Sequence, residues 1–279
     1  MKEQFFIYNN KFYESGTPII SPSSRGLRYG DGIFETMKIA NGNIVNADFH
    51  LERLFGGLAL LQFDVPKHFD RDFIQKKIGE LCDRNKHSKS VRIRLMITRG
   101  DGGIFDPENH FPNYIIESWQ LKDAPALNSN GLVIDIFQGS RKCCDDFSHL
   151  KSNNYLPYVL AALYAKQHKL NDCILLNSNG RICDTTITNI FLIYGNEILT
   201  PPLSEGCVAG TMRRWMLEKF VMQGYLVKEK VLNEEDLTNA DECFLTNAIH
   251  HIRWVQSFRN KKYTNAVAKK ISDYVRQTI

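Results

Sequence analysis

Three features of the chain predict an α+β fold in two units: hairpin signals and apolar alternation interleaved with helical stripes, a polar break at residues 120–130, and a second run of strands beyond it. The 279 residues, 43% of them hydrophobic, are enough for one large domain or two modest ones. The expected division is an N-terminal unit over 1–119, a linker over 120–130 and a C-terminal unit over 131–279.

In chain order, Phe5 to Tyr13 folds as a hairpin around Asn9-Asn10, and Gly32 to Val45 as another around Asn41-Gly42, because Asn and Gly tolerate the positive φ that tight hairpin turns demand. Asp48 is expected to cap a helix whose apolar stripe is Phe49, Leu51, Leu54, Leu58 and Leu61, with a further helix from Asp70 to Asn85. Val91, Ile93, Leu95 and Ile97 alternate with Arg92, Arg94, Met96 and Thr98 as a half-buried strand does, and Asn113 to Trp119 continues as another. Gln120 to Asn130 then turns to Lys, Asp, Pro, Ala, Asn and Ser.

The second unit begins with a strand from Gly131 to Gly139 and a helix capped near Asn153-Asn154, with Pro157 in its first turn, running to Lys169. Cys173 to Asn177, Arg181 to Tyr194 and Glu197 to Thr200 form a meander, and Gly210 to Met222 a helix ending near Gly224. Leu226 to Leu232, Glu242 to Thr246 and His251 to Phe258 are expected strands, and Asn265 to Thr278 a terminal helix.

Composition narrows the partners. The net charge of +4 is dispersed, so neither a nucleic-acid stripe nor a membrane anchor is expected, and no segment is long and apolar enough to span a bilayer. Seven cysteines, odd in number and without Cys-x-x-Cys, argue for a reducing cytoplasm rather than a disulfide frame. Neither dinucleotide nor P-loop glycine patterns occur, and the adjacent His250 and His251 point to opposite faces of a strand, so no metal is expected.

What stands out chemically is Lys151 at a strand-to-helix junction, followed by the carboxylate of Asp184 on a hairpin. An amine that can form an imine and an anion for a ring nitrogen are the minimum for holding pyridoxal phosphate. Around them lie Arg25-Gly26-Leu27-Arg28-Tyr29-Gly30-Asp31-Gly32-Ile33-Phe34-Glu35-Thr36, His50-Leu51-Glu52-Arg53-Leu54, Thr98-Arg99-Gly100, Asp184 to Phe191, Thr200-Pro201-Pro202-Leu203, Gly210-Thr211-Met212-Arg213 and Glu242 to Ala248. In this order the blocks resemble the fold-type IV pyridoxal phosphate family, which includes branched-chain and D-amino acid aminotransferases and 4-amino-4-deoxychorismate lyase.

The resemblance implies a role for each matching position. Lys151 carries the cofactor and moves the substrate's Cα proton; Arg53, Gly210, Thr211, Thr246 and Asn247 hold the phosphate. Asp184 faces the ring nitrogen where the family usually has the longer glutamate, and Tyr155 lies beside the phenolic oxygen. Phe34 and Arg99 border the substrate. The D-amino acid enzymes' Arg-x-His trap aligns with Ile104-Phe105-Asp106, which makes that specificity unexpected. The resemblance further implies a homodimer and a cofactor between the two units. Amino transfer between an amino acid, possibly branched-chain, and a 2-oxo acid is the first expectation. A lyase releasing pyruvate and 4-aminobenzoate is the second, and a protein that binds pyridoxal phosphate without turnover the third.

Overall fold

The computed structural model describes residues 4–105, 109–122 and 127–279, so part of the expected linker, and Asp106 of the trap-aligned segment, lie outside the described residues. The chain divides into two compact units, Met1–Asp123 with Lys151–Asn154, and Ala124–Leu150 with Tyr155–Ile279.

In the first unit the elements run β1 (Phe5–Tyr8), β2 (Lys11–Glu14), α1 (Arg25–Tyr29), β3 (Gly32–Ala40), β4 (Asn43–Ile44), α2 (Ala47–Leu60), α3 (Arg71–Arg84), β5 (Ser90–Thr98) and β6 (Asn113–Gln120). The strands form one sheet in the order β2-β1-β6-β5-β3-β4, and every pairing is antiparallel. Both hairpin turns sit at positive φ, with Asn9 at 42° and Asn10 at 71°, then Asn41 at 49° and Gly42 at 83°. The alternation in β5 buries Val91, Ile93, Leu95 and Ile97 in one core with Leu51, Leu54 and Leu58 of α2 and Ile74, Ile78 and Leu81 of α3. The helix expected from Asp70 to Asn85 forms as α3, with Asp70 at its cap accepting from the Phe73 N–H at 2.8 Å. Asp48 does not cap α2. The chain leaves β4 through Asn46 in the left-handed region, which starts the helix earlier and places Asp48 in its first turn, where it meets Arg71 at 3.2 Å.

The second unit contains β7 (Leu132–Lys142), α4 (Leu156–Gln167), β8 (Asp172–Asn177), β9 (Ile182–Thr185), β10 (Asn189–Tyr194), β11 (Glu197–Thr200), α5 (Thr211–Glu218), β12 (Leu226–Glu229), α6 (Glu234–Asn239), β13 (Glu242–Asn247), β14 (His251–Phe258), β15 (Lys261–Lys262) and α7 (Ala266–Thr278). Its sheet is mixed, in the order β12-β11-β10-β13-β14-β7-β8-β9 with β15 beside β14, and the β14-β7-β8 and β11-β12 pairings are parallel. Ile134, Ile174, Ile190, Leu192, Leu245 and Val255 share its central core.

Here the structure departs from the sequence reading in several places. The strand expected over Arg181 to Tyr194 breaks at Thr186–Thr188, because Asp172 captures both Thr185 and Thr186 and turns the chain. α5 stops at Glu218, where Phe220 folds back to pack against Trp215 and Tyr274. β12 ends with the four residues that its parallel partner β11 offers. Tyr155, not an asparagine, occupies the cap position of α4; residues 151–154 are drawn instead into pairing with β3. The short helices α1 and α6 had no clear apolar stripe to announce them. Among the described residues no helix is long and apolar enough to cross a membrane, and no group of three His, Cys, Asp or Glu side chains could hold a metal ion.

Candidate active site

Two clusters, one in each unit, gather the candidate residues. The first grows from the start of β3. The Phe34 N–H donates to the Lys151 carbonyl at 2.9 Å and the Asn153 N–H to the Gly32 carbonyl at 2.9 Å, so Ser152 forms an isolated antiparallel bridge with Ile33 of β3. Only glycine fits at position 32, since a Cβ there would lie 2.2 Å from the Ile97 carbonyl oxygen and 2.6 Å from Asn153 Nδ2. Backbone pairing thus fixes Lys151 independently of its side chain. Its Nζ lies 4.5 Å from the centroid of the Phe34 ring, and the Arg94 guanidinium lies 4.6 Å from the same centroid. Arg94 has no carboxylate partner among the described residues.

The neighbouring residue on β3 faces the other way and binds α2. Glu35, 1% exposed, accepts from Arg53 Nε at 2.7 Å and Nη2 at 2.6 Å, and contacts His50 Nδ1 at 2.6 Å. Two motif blocks distant in sequence are thereby joined by one buried carboxylate. Burial alone would raise the Glu35 pKa, but the Arg53 and His50 contacts outweigh it and lower the value to about 2. For His50, burial is the largest influence and lowers its pKa despite Glu35, with Arg53 and Lys151 adding to the lowering. The fork of Arg53 is held rigidly by this arrangement. Arg99 is bound to the Leu61 carbonyl, lies 3.5 Å from Asp31 and stacks over Phe63 at 4.6 Å; only its buried Nε lacks a partner among the described residues.

The second cluster surrounds Asp184 on β9. Its carboxylate, 2% exposed, meets Lys142 Nζ at 3.0 and 3.2 Å, the Tyr158 hydroxyl at 3.0 Å and the Val208 N–H at 2.9 Å. Burial first, then Asp184 and Tyr155, push the Tyr158 phenol well above its ordinary pKa, so it stays protonated as a donor. Tyr155 stacks on Tyr158 with ring centroids 4.3 Å apart. The turn after β9 is pinned by Asp172, which accepts from Thr185 Oγ1 at 2.8 Å, Thr186 Oγ1 at 2.6 Å and the Thr186 N–H at 3.1 Å.

Further along this unit, Asn189 and Thr246 are paired neighbours on β10 and β13, and α5 packs against β13. Asn189 Nδ2 donates to the Val208 carbonyl at 2.8 Å, and a Cβ at Gly210 would fall 1.9 Å from Asn189 Oδ1. Gly210 therefore brings the backbone in close at the start of α5, ahead of Thr211. Thr246 is 1% exposed, and its hydroxyl has no hydrogen-bond partner among the described residues. An orphaned buried hydroxyl carries a desolvation cost and marks where a polar group fits. Asn247 Oδ1 accepts from the Ile249 and His250 N–H groups at 3.0 and 2.8 Å, so its side chain shapes the loop.

Sequence reading named Lys151, Arg53, Phe34 and Arg99, all in the first unit, and Tyr155, Asp184, Gly210, Thr211, Thr246 and Asn247, all in the second. It assigned no role to Glu35, His50, Arg94, Lys142 or Tyr158. Glu35 and His50 lie inside quoted motifs, which was signal enough; Lys142 has none, because 42 residues separate it from its partner Asp184.

The chain is similar to known proteins along most of its length. A family model described as amino-transferase class IV matches residues 32–258. The chain belongs to the class IV amino-transferases. It is 31% identical over 255 residues to the aminodeoxychorismate lyase of Bacillus subtilis, covering 88% of this chain and 83% of that protein. It is 27% identical over 270 residues to a putative branched-chain-amino-acid aminotransferase of Methanocaldococcus jannaschii, covering 95% of this chain and 93% of that one. In fold, it is similar to a crystal structure of the Escherichia coli branched-chain amino acid aminotransferase, with a TM-score of 0.87 at 22% identity over 99% of this chain and 94% of the other. Class IV enzymes depend on pyridoxal phosphate, and this family contains both transferases and lyases.

Proposed function

We propose that the protein is a pyridoxal phosphate-dependent aminotransferase that moves an amino group between an amino acid and a 2-oxo acid. The observation that carries the reading is Lys151, whose backbone is locked to β3 while its amine stands over Phe34 beside a second cation, Arg94. The orphaned Thr246 hydroxyl, the close approach at Gly210 and the start of α5 suit a phosphate dianion, so the residues fit the cofactor.

Bound pyridoxal phosphate supplies an aldehyde carbon that joins an amine and a ring that spreads the electron pair left at the substrate's Cα. The rest falls to the chain. Arg53, whose Nε and Nη2 are held by Glu35, offers a fixed positive charge to the phosphate, with the backbone at Gly210 and Thr211 and the Thr246 hydroxyl as further donors, while Asn247 orders the adjoining loop. Asp184 presents its carboxylate to the ring nitrogen, and Tyr155 lies beside the phenolic oxygen. Lys151 Nζ takes the substrate's Cα proton and, for amino transfer, would deliver it to the carbon that carried the aldehyde. Phe34 forms the flat wall of the substrate pocket, Arg99 borders it, and Arg94 suits a substrate carboxylate. A homodimer in a reducing cytoplasm belongs to the same reading; among the seven cysteines none is disulfide-bonded.

The likeness to a lyase supports a second reading, in which the same lysine serves release of pyruvate from aminodeoxychorismate. Purified protein incubated with leucine or glutamate and a 2-oxo acid should exchange amino groups, with a donor alone converting the cofactor's colour stoichiometrically. Release of pyruvate and 4-aminobenzoate without any acceptor, and no exchange, would replace amino transfer with the lyase reaction.

A further inference from the structure

Asp184 does not stand alone as an anion: the ammonium of Lys142 lies 3.0 Å away, and both side chains are buried, 2% and 8% exposed. We infer that Lys142 is a positioning residue that neutralises Asp184 and so lowers the proton affinity of the cofactor's ring nitrogen. The inference deepens the pyridoxal phosphate reading and rests on it.

Lys142 reaches this place through an irregularity in β7. Its pairing with β8 slips between Phe137 and Arg141, a bulge that lets Arg141 point to solvent while Lys142, next along, is buried. Three donors then converge on one carboxylate: Lys142 on both oxygens, and the Tyr158 hydroxyl and the Val208 N–H on Oδ2. Lys142 also bonds the Tyr158 hydroxyl and lies 4.7 Å from the centre of its ring. Among the described residues no other ionic group forms a salt bridge with Lys142 or Asp184. Tyr158 faces the pair from α4 with Tyr155 stacked on its ring, and Tyr158 is held protonated. Cys183, beside Asp184 on β9, and Cys207 have thiols pushed up by burial, Cys207 to about 12, and both stay neutral.

Attraction from a bare carboxylate raises the proton affinity of a nearby ring nitrogen. A carboxylate already 3.0 Å from an ammonium presents a pair of zero net charge, and most of that attraction cancels. Burial works in the same direction, because it disfavours a new cation. Replacement of the longer glutamate by aspartate fits this role, since the short side chain stays within reach of Lys142, Tyr158 and the Val208 N–H together.

The test loads the holoenzyme with pyridoxal phosphate labelled with 15N in the ring and follows that nitrogen by NMR across pH. Borohydride reduction and peptide mapping come first. An adduct at Lys151 upholds the underlying reading, and its absence overturns that reading on its own, separately from the inference. In the wild type, the ring nitrogen is expected to be unprotonated at the alkaline end of the range from about pH 5 to about pH 9, whereas a nitrogen protonated throughout overturns the inference. Lys142→Met should raise the midpoint by at least about one pH unit, a tenfold gain in proton affinity, while Lys142→Arg should leave it near the wild-type value. A folded Lys142→Met protein with an unchanged midpoint overturns the inference. If that variant does not fold, the wild-type titration decides alone.

Discussion

Replacing Glu35 with Gln probes the buried triad that orients Arg53. The Glu35 pKa falls from 4.5 to about 2 in the folded protein. That difference corresponds to roughly 3 kcal/mol of stability. The sign follows from linkage: a depressed carboxylate contributes fully above its unfolded pKa near 4.5, and the contribution fades as pH falls toward about 2. At pH 7 the whole amount is present. Glu35→Gln keeps the shape but removes the negative charge that accepts from both Nε and Nη2 of Arg53, whose side chain is 12% exposed. Urea unfolding at pH 7 should therefore show a loss of about 3 kcal/mol, within the range for breaking a buried pair. The 13C carboxyl resonance of Glu35 in the wild type should report ionisation down to about pH 3. A loss below about 1 kcal/mol, or a resonance titrating near the ordinary value, would refute the assignment of Glu35 as the anchor of Arg53.

Other predictions follow from single sites. Thr246→Val removes a hydroxyl that has no partner among the described residues, so thermal unfolding of the apoprotein should move by less than about 1 kcal/mol. Pyridoxal phosphate titration of the same variant should show at least about tenfold weaker binding if the hydroxyl serves the phosphate. Gly42→Ala forces a side chain onto a residue at φ 83° with open space around it, so backbone strain alone should cost about 1 kcal/mol in a denaturant midpoint. A thiol reagent added to native protein should label Cys143 and Cys144 quickly; Cys82, Cys173, Cys183, Cys207 and Cys243 are buried and should react only on unfolding.

Legibility in the sequence divided along a physical line. The hairpin turns at Asn9-Asn10 and Asn41-Gly42 are decided by residues within a few positions of one another, and both are readable. The alternation in β5 named its buried face for the same reason. Where a distant partner overrode a local preference, the reading slipped: Asp172 broke the strand expected over Arg181 to Tyr194, and β3 took Lys151 to Asn154 from the cap of α4. Asn46, turning left-handed, displaced Asp48 from the start of α2.

The chain on its own carried its mixture of helix and strand and its family, with Lys151, Arg53 and Asp184 in blocks that resemble those of the class IV amino-transferases. Those facts rest on local propensity and on motif order, which a linear text carries. Only tertiary structure joined Glu35 to Arg53 and His50, left the Thr246 hydroxyl unpaired, and brought Lys142 onto Asp184 through a bulge in β7. The charge state of a buried group depends on which other charges share its low-dielectric surroundings, and folding, rather than spacing along the chain, chooses those neighbours.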